Sequence, residues 1–269
     1  MSISIIPALR GTNIPYIISE RNDPMNFAGK KITKFLYQLC MKNANGVVFQ
    51  TKDVQKYYKG RINGKNRVIY NPLIIEEFPD NLSDKKNKTI VTVGRLHPQK
   101  NQQLLIKAFY EVYKKYPEYR LEIYGEGESR KELETLINRL NMQEHIFLMG
   151  VKPNVLEYVN RAEIFVLSSN YEGMPNSLIE ALALGIPCVS TNCPCGGPRE
   201  LIHDHVNGSL VPVNDKTMLV AALVELISKP QLRNQYSKES IKIRETLAGK
   251  RIFEEWRNFC EEISGDIKK

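Results

Sequence analysis

Two short stretches carry side chains that could together hold an anion between hydroxyl-bearing groups. The first is Gly94-Arg95-Leu96-His97-Pro98-Gln99-Lys100-Asn101, directly after the apolar run TIVTV. Gly94 permits a turn there. Arg95 and Lys100 then project as phosphate ligands, one a planar fork and one a point charge. A basic helix start is the plainer alternative, but a helix dipole disfavours a cation at that end unless an anion is present. The second stretch is Glu172-Gly173-Met174-Pro175-Asn176-Ser177-Leu178-Ile179-Glu180, between an apolar run ending at Ser169 and a helical pattern from Pro175. Pro175 suits a first helical position, where a missing N–H costs nothing. The N–H groups of Asn176, Ser177 and Leu178 then open from the helix start and attract an anion. Gly173 lets a ligand approach the backbone. Glu172 and Glu180 can accept hydrogen bonds from vicinal hydroxyls. Two cations, a helix start and two carboxylates suit a pyrophosphate flanked by polyhydroxyl groups. A surface loop with an ordinary helical glutamate is the plainer reading of the second stretch.

Two further constellations are weaker. Gly125-Glu126-Gly127 lacks the third glycine of a dinucleotide fingerprint. Cys193 and Cys195, with His203 and His205, offer zinc-ligand types, but in spacing unusually tight for a closed structural site. Reduced loop thiols are the alternative. The five cysteines show no framework spacing, which argues for reduced thiols in a cytosolic setting.

The elements that must position these residues follow from periodicity. From residue 89 onward, apolar runs alternate with amphipathic patterns. Strands are predicted at 89–94, 119–125, 145–150, 162–169 and 186–191. Helices are predicted at 99–116, at 129–140 with Ser129 as N-cap, at 154–160, at 175–184 closed by Gly185, and at 215–228. Such alternation implies an α/β fold, a parallel sheet covered on both faces. Ligands bind such sheets beyond the carboxyl ends of the strands, where both stretches lie. Residues 14–70 repeat the pattern: strands at 14–19, 46–50 and 67–70, helices near 30–42 and 52–58. Residues 79–88 are polar and read as a linker, and two more helical runs follow Pro230.

The chain has 269 residues and a net charge of +8. Residues 1–88 hold 15 basic and 7 acidic residues, which accounts for all of it; the remainder has 23 of each sign. An anionic partner or a lysine-rich solvated surface both fit this excess. No basic stretch is interleaved with aromatics, so nucleic acid is not expected as a partner. No apolar run approaches the length of a membrane helix, and the start lacks the features of a signal peptide.

The two stretches, in this order and spacing, resemble the family 4 glycosyltransferases of the GT-B fold. The similarity runs through VGRLHPQKNQ, LEIYGEGESRKELE, LMG, EIFVLSSNYEGMPNSLIEALALGIPCVST and NGSLVPVND, and more weakly through SERNDP, NGVVFQT and IYNPL. It implies an N-terminal Rossmann-like domain at 1–78 whose first half, with its glycine-rich loop, is absent, then the linker at 79–88. A complete nucleotide-sugar-binding domain would occupy 89–246, and a terminal helix at 247–269 would pack back towards the N-terminal side. By this resemblance Arg95 and Lys100 hold the donor diphosphate, Glu172 touches the transferred sugar and Glu180 the ribose. By the same resemblance the stretch from Gly173 through Met174, Pro175, Asn176 and Ser177 to Leu178 borders sugar and phosphate, with the backbone N–H groups of all but Pro175 facing them. Gly94 turns the first loop, Gly125 and Gly127 border the nucleotide, and Gly150 and Val151 lie near its base. The family needs no metal or cofactor and retains anomeric configuration. The implied activity is transfer of a hexose or N-acetylhexosamine, with UDP-sugar as expected donor, to a glycan or lipid-linked acceptor in cell-surface polysaccharide synthesis. The implied place is cytoplasmic, with peripheral contact at an anionic inner membrane face. A non-catalytic sugar-nucleotide-binding module that needs a partner segment is the alternative.

Overall fold

The structure is a computed structural model, which describes residue 9 and residues 11–21, 23–26, 31–75, 78–79 and 87–265. Two parallel sheets organise it. The smaller has strands β1 (Ile17–Glu20), β2 (Gly46–Phe49) and β3 (Lys65–Val68), in that order. Helices α1 (Lys31–Asn43) and α2 (Lys52–Tyr57) connect them. Thr51 caps α2 by accepting from the Val54 amide.

The larger sheet contains β4 (Asn87–Val93), β5 (Arg120–Tyr124), β6 (Ile146–Gly150), β7 (Ala162–Leu167), β8 (Cys188–Thr191) and β9 (Ser209–Val211). Its spatial order is β6-β5-β4-β7-β8-β9, with every pairing parallel. The chain winds outward from β4 in one direction and from β7 in the other. The gap beyond the carboxyl ends of β4 and β7 is thus the topological switch point, where such sheets bind ligands. The loops after these two strands are the two stretches singled out above. Between strands run α3 (Gln102–Tyr113), α4 (Arg130–Arg139), α5 (Val155–Arg161), α6 (Asn176–Ala183) and α7 (Gly197–Leu201). Four helices follow the last strand among the described residues: α8 (Lys216–Ser228), α9 (Pro230–Ser240), α10 (Ile243–Thr246) and α11 (Gly249–Gly265).

Several boundaries differ from expectation for local reasons. The helix expected at 99–116 is broken: a 3-10 turn covers Pro98–Lys100, and Asn101 takes the left-handed conformation (φ 48°) and caps α3. Ser129 precedes α4 but forms no side-chain cap; its amide donates to Leu96 O instead. The linker expected at 79–88 lies mostly outside the described residues, and Asn87 and Lys88 already belong to β4. Strand β9 and helix α7 were not expected at all.

One apolar cluster spans both sheets: Val48, Ile69 and Leu73 from the smaller side join Val91, Phe165 and Leu178 from the larger. Phe259 and Ile263 of α11 belong to it as well. Glu262 of α11 pairs with Lys65 at 3.0 Å and Arg67 at 2.9 Å on β3.

Candidate functional site

The loops after β4 and β7 are laced together. Asn170 N–H donates to Gln99 O at 2.7 Å, and Asn170 Nδ2 to Pro98 O at 2.9 Å. Gln99 Nε2 donates to Tyr171 O at 3.0 Å, and Ser168 Oγ to Lys100 O at 2.9 Å. In this frame Lys100 Nζ lies 2.6 Å from Glu172 Oε1. Ser169 Oγ donates to the same oxygen at 2.6 Å. Both ionised side chains are largely shielded, with Lys100 18% and Glu172 8% exposed. The pair that sequence placed on separate loops therefore meets directly. Arg95 is exposed and has no carboxylate partner among the described residues.

A run of glycines lines the neighbouring loops. A Cβ on Gly94 would sit 3.3 Å from the Lys100 side chain. Gly125 (φ +136°) brings the β5 loop so near the β4 loop that a Cβ would lie 2.0 Å from Gly94 O. Gly127 (φ +157°) makes the same approach to Leu96 O, at 2.3 Å. Gly125 N–H donates to Gly150 O at 2.9 Å, and Gly150 has φ +69°. Val151 beside it is 74% exposed. Glu126 is held by Arg130 through two hydrogen bonds, of 2.9 and 2.6 Å. The glycines let the loop backbones approach one another closely along this rim.

Helix α6 begins one residue later than expected. Pro175 is its N-cap (φ −78°, ψ 109°), and Asn176 is the first helical residue. Leu178 N–H is not open, contrary to expectation: it donates to Pro175 O at 3.1 Å. The amides of Asn176 and Ser177 have no backbone acceptor among the described residues. At the other end, Ile186 N–H donates to Ala181 O and Gly185 N–H to Leu182 O, with Gly185 at φ +72°. That pattern ends the helix as a Schellman motif. Glu180 is half-buried on α6, and burial pushes its carboxyl pKa up from the usual value. Met174 and Pro175 are buried beneath the loop.

Sequence reasoning missed the residues that the smaller sheet contributes. Gln50 follows β2 and Asn71 follows β3, both at carboxyl ends. Asn71 Nδ2 donates to Asn176 Oδ1 at 2.7 Å and to Met174 O at 3.2 Å. Gln50 Nε2 donates to Asn71 Oδ1. A Cβ on Gly173 would lie 2.3 Å from Arg21 O and 2.7 Å from Gln50 Oε1. The carboxyl edges of the two sheets therefore meet at the loop 172–176. The rule that located Arg95 would also have located Gln50 and Asn71, but periodicity does not reveal that the sheets face each other.

Helix α7 ties the same loop to the smaller sheet. A Cβ on Gly197 would sit 1.6 Å from Gly173 O. Glu200 accepts from the Lys52 amide at the start of α2 (2.9 Å) and from Tyr70 Oη (2.8 Å). Arg199 pairs with Asp53 at 3.3 Å. Behind α7 lies a cavity of about 760 Å³ lined by Tyr70, Arg199, Glu200, Lys242, Arg251 and Glu255. Three of its cations are already paired, Arg199 as above, Lys242 with Glu239 at 2.6 Å and Arg251 with Glu255 at 3.5 Å.

The zinc alternative does not assemble. Cys193 Sγ faces Ser169 O at 3.2 Å, whereas Cys195 Sγ donates to Asp23 Oδ1 at 2.8 Å. Among the described residues no three His, Cys, Asp or Glu side chains converge on a metal position. Burial pushes the Cys193 thiol up to about 12, and burial with the Asp23 carboxylate also raises Cys195. Among the described residues no helix is long and apolar enough to cross a membrane.

Known proteins share this organisation. Residues 74–243 match the family described as glycosyl transferases group 1. A Haemophilus influenzae protein named an uncharacterized glycosyltransferase is 31% identical over 93% of this chain and 70% of its own length. A Campylobacter jejuni N-acetylgalactosamine-N,N'-diacetylbacillosaminyl-diphospho-undecaprenol 4-alpha-N-acetylgalactosaminyltransferase is 29% identical over 88% of the chain and 67% of its own. Among solved structures, Staphylococcus aureus TarM, crystallised with UDP, superimposes with a TM-score of 0.83 at 22% identity. That match covers 95% of this chain and 53% of TarM, so the chain spans about half that protein's length. The fold is thus that of the GT-B glycosyltransferases, and the chain belongs to the glycosyl transferases group 1 family.

Proposed function

We propose that the protein is a retaining glycosyltransferase of family 4. It moves a hexose or N-acetylhexosamine from a nucleotide diphosphate sugar, UDP-sugar by preference, to a glycan or lipid-linked acceptor in cell-surface polysaccharide synthesis. One observation carries the reading: the Lys100–Glu172 pair joins the two loops at the switch point of the larger sheet. The diphosphate would lie between Lys100, Arg95 and the amides of Asn176 and Ser177. Glu172 and Glu180 would accept from sugar and ribose hydroxyls, with Gly94, Gly125 and Gly127 bordering the nucleotide. In transfer, fixed cations and amides stabilise the charge that builds on the leaving diphosphate. Before donor binding, Glu172 neutralises Lys100 and holds its ammonium in place. The donor preference draws on the UDP in the TarM structure, and the acceptor class on the diphospho-undecaprenol in the Campylobacter protein's name.

Peripheral membrane contact also belongs to this reading. Helix α1 exposes Ile32, Phe35, Leu36 and Leu39, contains Lys31, Lys34 and Lys42, and has no acidic residue. Apolar residues beside lysines suit an anionic lipid surface.

A calorimetric and thermal-shift titration with uridine diphosphate tests the donor site. Saturation at a hundred times Kd stabilises the chain by about 2.7 kcal/mol, and Lys100→Ala or Arg95→Ala weakens binding roughly tenfold or more. Absence of any response to uridine or guanosine diphosphate ends the proposal. Binding without transfer to any acceptor leaves a sugar-nucleotide-binding module.

A further inference from the structure

We propose that Asn71 is a positioning residue for the donor site, fixing the start of α6 from the opposite sheet. The inference rests on the donor reading given above. Asn71 is 6% exposed, and every polar atom of its side chain is engaged. Both donors of its amide go to the loop 174–176: Asn176 Oδ1 at 2.7 Å and Met174 O at 3.2 Å. Its oxygen accepts from Gln50, itself 4% exposed. The orientation of the amide is therefore fixed, because a flip would oppose oxygen to oxygen at two contacts and nitrogen to nitrogen at the third. Its main chain is pinned as well. Asn71 N–H contacts Met174 Sδ at 3.2 Å, and two residues on Leu73 N–H donates to Leu247 O at 2.8 Å.

This network has a consequence for α6. Asn176 is the first residue of that helix, and its amide and that of Ser177 are the open donors. Holding the Asn176 side chain and the Met174 carbonyl sets the direction in which those amides point. An amide aimed at an anion loses most of its value when tilted, since hydrogen bonds weaken steeply away from linearity. Asn71 follows the last strand of the smaller sheet and α6 packs on the larger, so the anion site is complete only while the two sheets remain docked at this loop.

Calorimetry with uridine diphosphate on the full chain tests the inference, with melting measured without ligand for each variant. Asn71→Ala is expected to weaken binding about tenfold, and Asn71→Asp at least as much, because its carboxylate faces Met174 O and Asn176 Oδ1. Gln50→Glu leaves Asn71 in place but removes the donor that orients it, and a loss of several-fold is expected even if Asn71→Ala does not fold. Asn176→Ala weakens binding too, and the Asn71→Ala/Asn176→Ala double variant is no weaker than the worse single one. The positioning role is overturned if folded Asn71 and Gln50 variants bind like wild type, or if the double variant's loss is the product of the two single losses, while Lys100→Ala still weakens binding roughly tenfold or more. In that case the donor reading stands alone. If wild type itself ignores uridine diphosphate, both fall.

Discussion

Glu180, which the donor reading places against the ribose, is marked by what its burial costs. It is half-buried on α6, with no hydrogen-bond donor to its carboxyl among the described residues, and burial raises its pKa. The folded chain therefore binds this proton more tightly than the unfolded chain does. Ionised Glu180 destabilises the fold above its folded-state pKa, and that cost fades as pH falls through this pKa towards the ordinary carboxylate value. A ribose hydroxyl would supply the missing partner. Glu180→Gln is accordingly expected to raise the melting temperature by about 1–3 °C at pH 8, with the gain vanishing near pH 4, while uridine diphosphate binds more weakly. A lower melting temperature for Glu180→Gln at pH 8 would show that the ionised carboxylate is satisfied within the protein, contrary to this account. Glu180 could be picked out in the sequence by its place on a helix that opens with the Gly173-Met174-Pro175 turn after Glu172. Its burial could not, because that depends on how α6 lies against α5, α9 and α10.

At the scale of elements, α7 is the piece that links the loop 172–176 to the smaller sheet, and its two charged residues act differently. Glu200 caps α2 from outside that helix through the Lys52 amide, and it also holds Tyr70. Arg199 and Asp53 form an ion pair with 45% and 36% of their side chains exposed. A charged acceptor on a helix start and a tyrosine is worth more than an ion pair in water. Glu200→Ala is expected to cost about 1–2 kcal/mol and to speed hydrogen exchange at residues 52–57 and 173–176. Arg199→Ala should cost less than about 0.5 kcal/mol and leave exchange unchanged. Equal effects of the two substitutions would refute the ranking. Helix α7 was not legible beforehand because five residues opening on Gly-Pro read as loop. Strand β9, three residues long, is too short for an alternation to register. The elements around the proposed site were legible, since long apolar runs flanked by glycine leave few alternatives. Their edges were not. Asn101 adopts a left-handed conformation that asparagine tolerates, and the helix expected to run through it starts afresh. Pro175 stands outside α6 rather than inside it, since its ψ is extended.

On the scale of the whole molecule, the question is whether the two sheets behave as one body. Interfaces within a chain are commonly polar and permit relative motion unless they are large and apolar. Here the apolar cluster containing Val48 and Ile69 continues without a break into Leu167, Leu178 and Leu182, and α11 adds Phe259 and Ile263 to it. Phe259 is 1% exposed and carries the Arg67 guanidinium 5.2 Å from its ring centroid. Glu262, one turn on, draws Lys65 and Arg67 of β3 to the same helix. The last helix thus fastens β3 into a core shared with the larger sheet. If this core is continuous in the energetic sense, the chain unfolds in one transition. Phe259→Ala should then lower that single transition by about 3–5 kcal/mol of stability, and uridine diphosphate should raise the same transition rather than a separate one. Calorimetric melting distinguishes the cases. Two transitions, with Phe259→Ala affecting only the lower and nucleotide only the upper, would mean that the smaller sheet and the proposed donor site are thermodynamically separate. The contact of Asn71 with α6 would then be too weak to hold the two together.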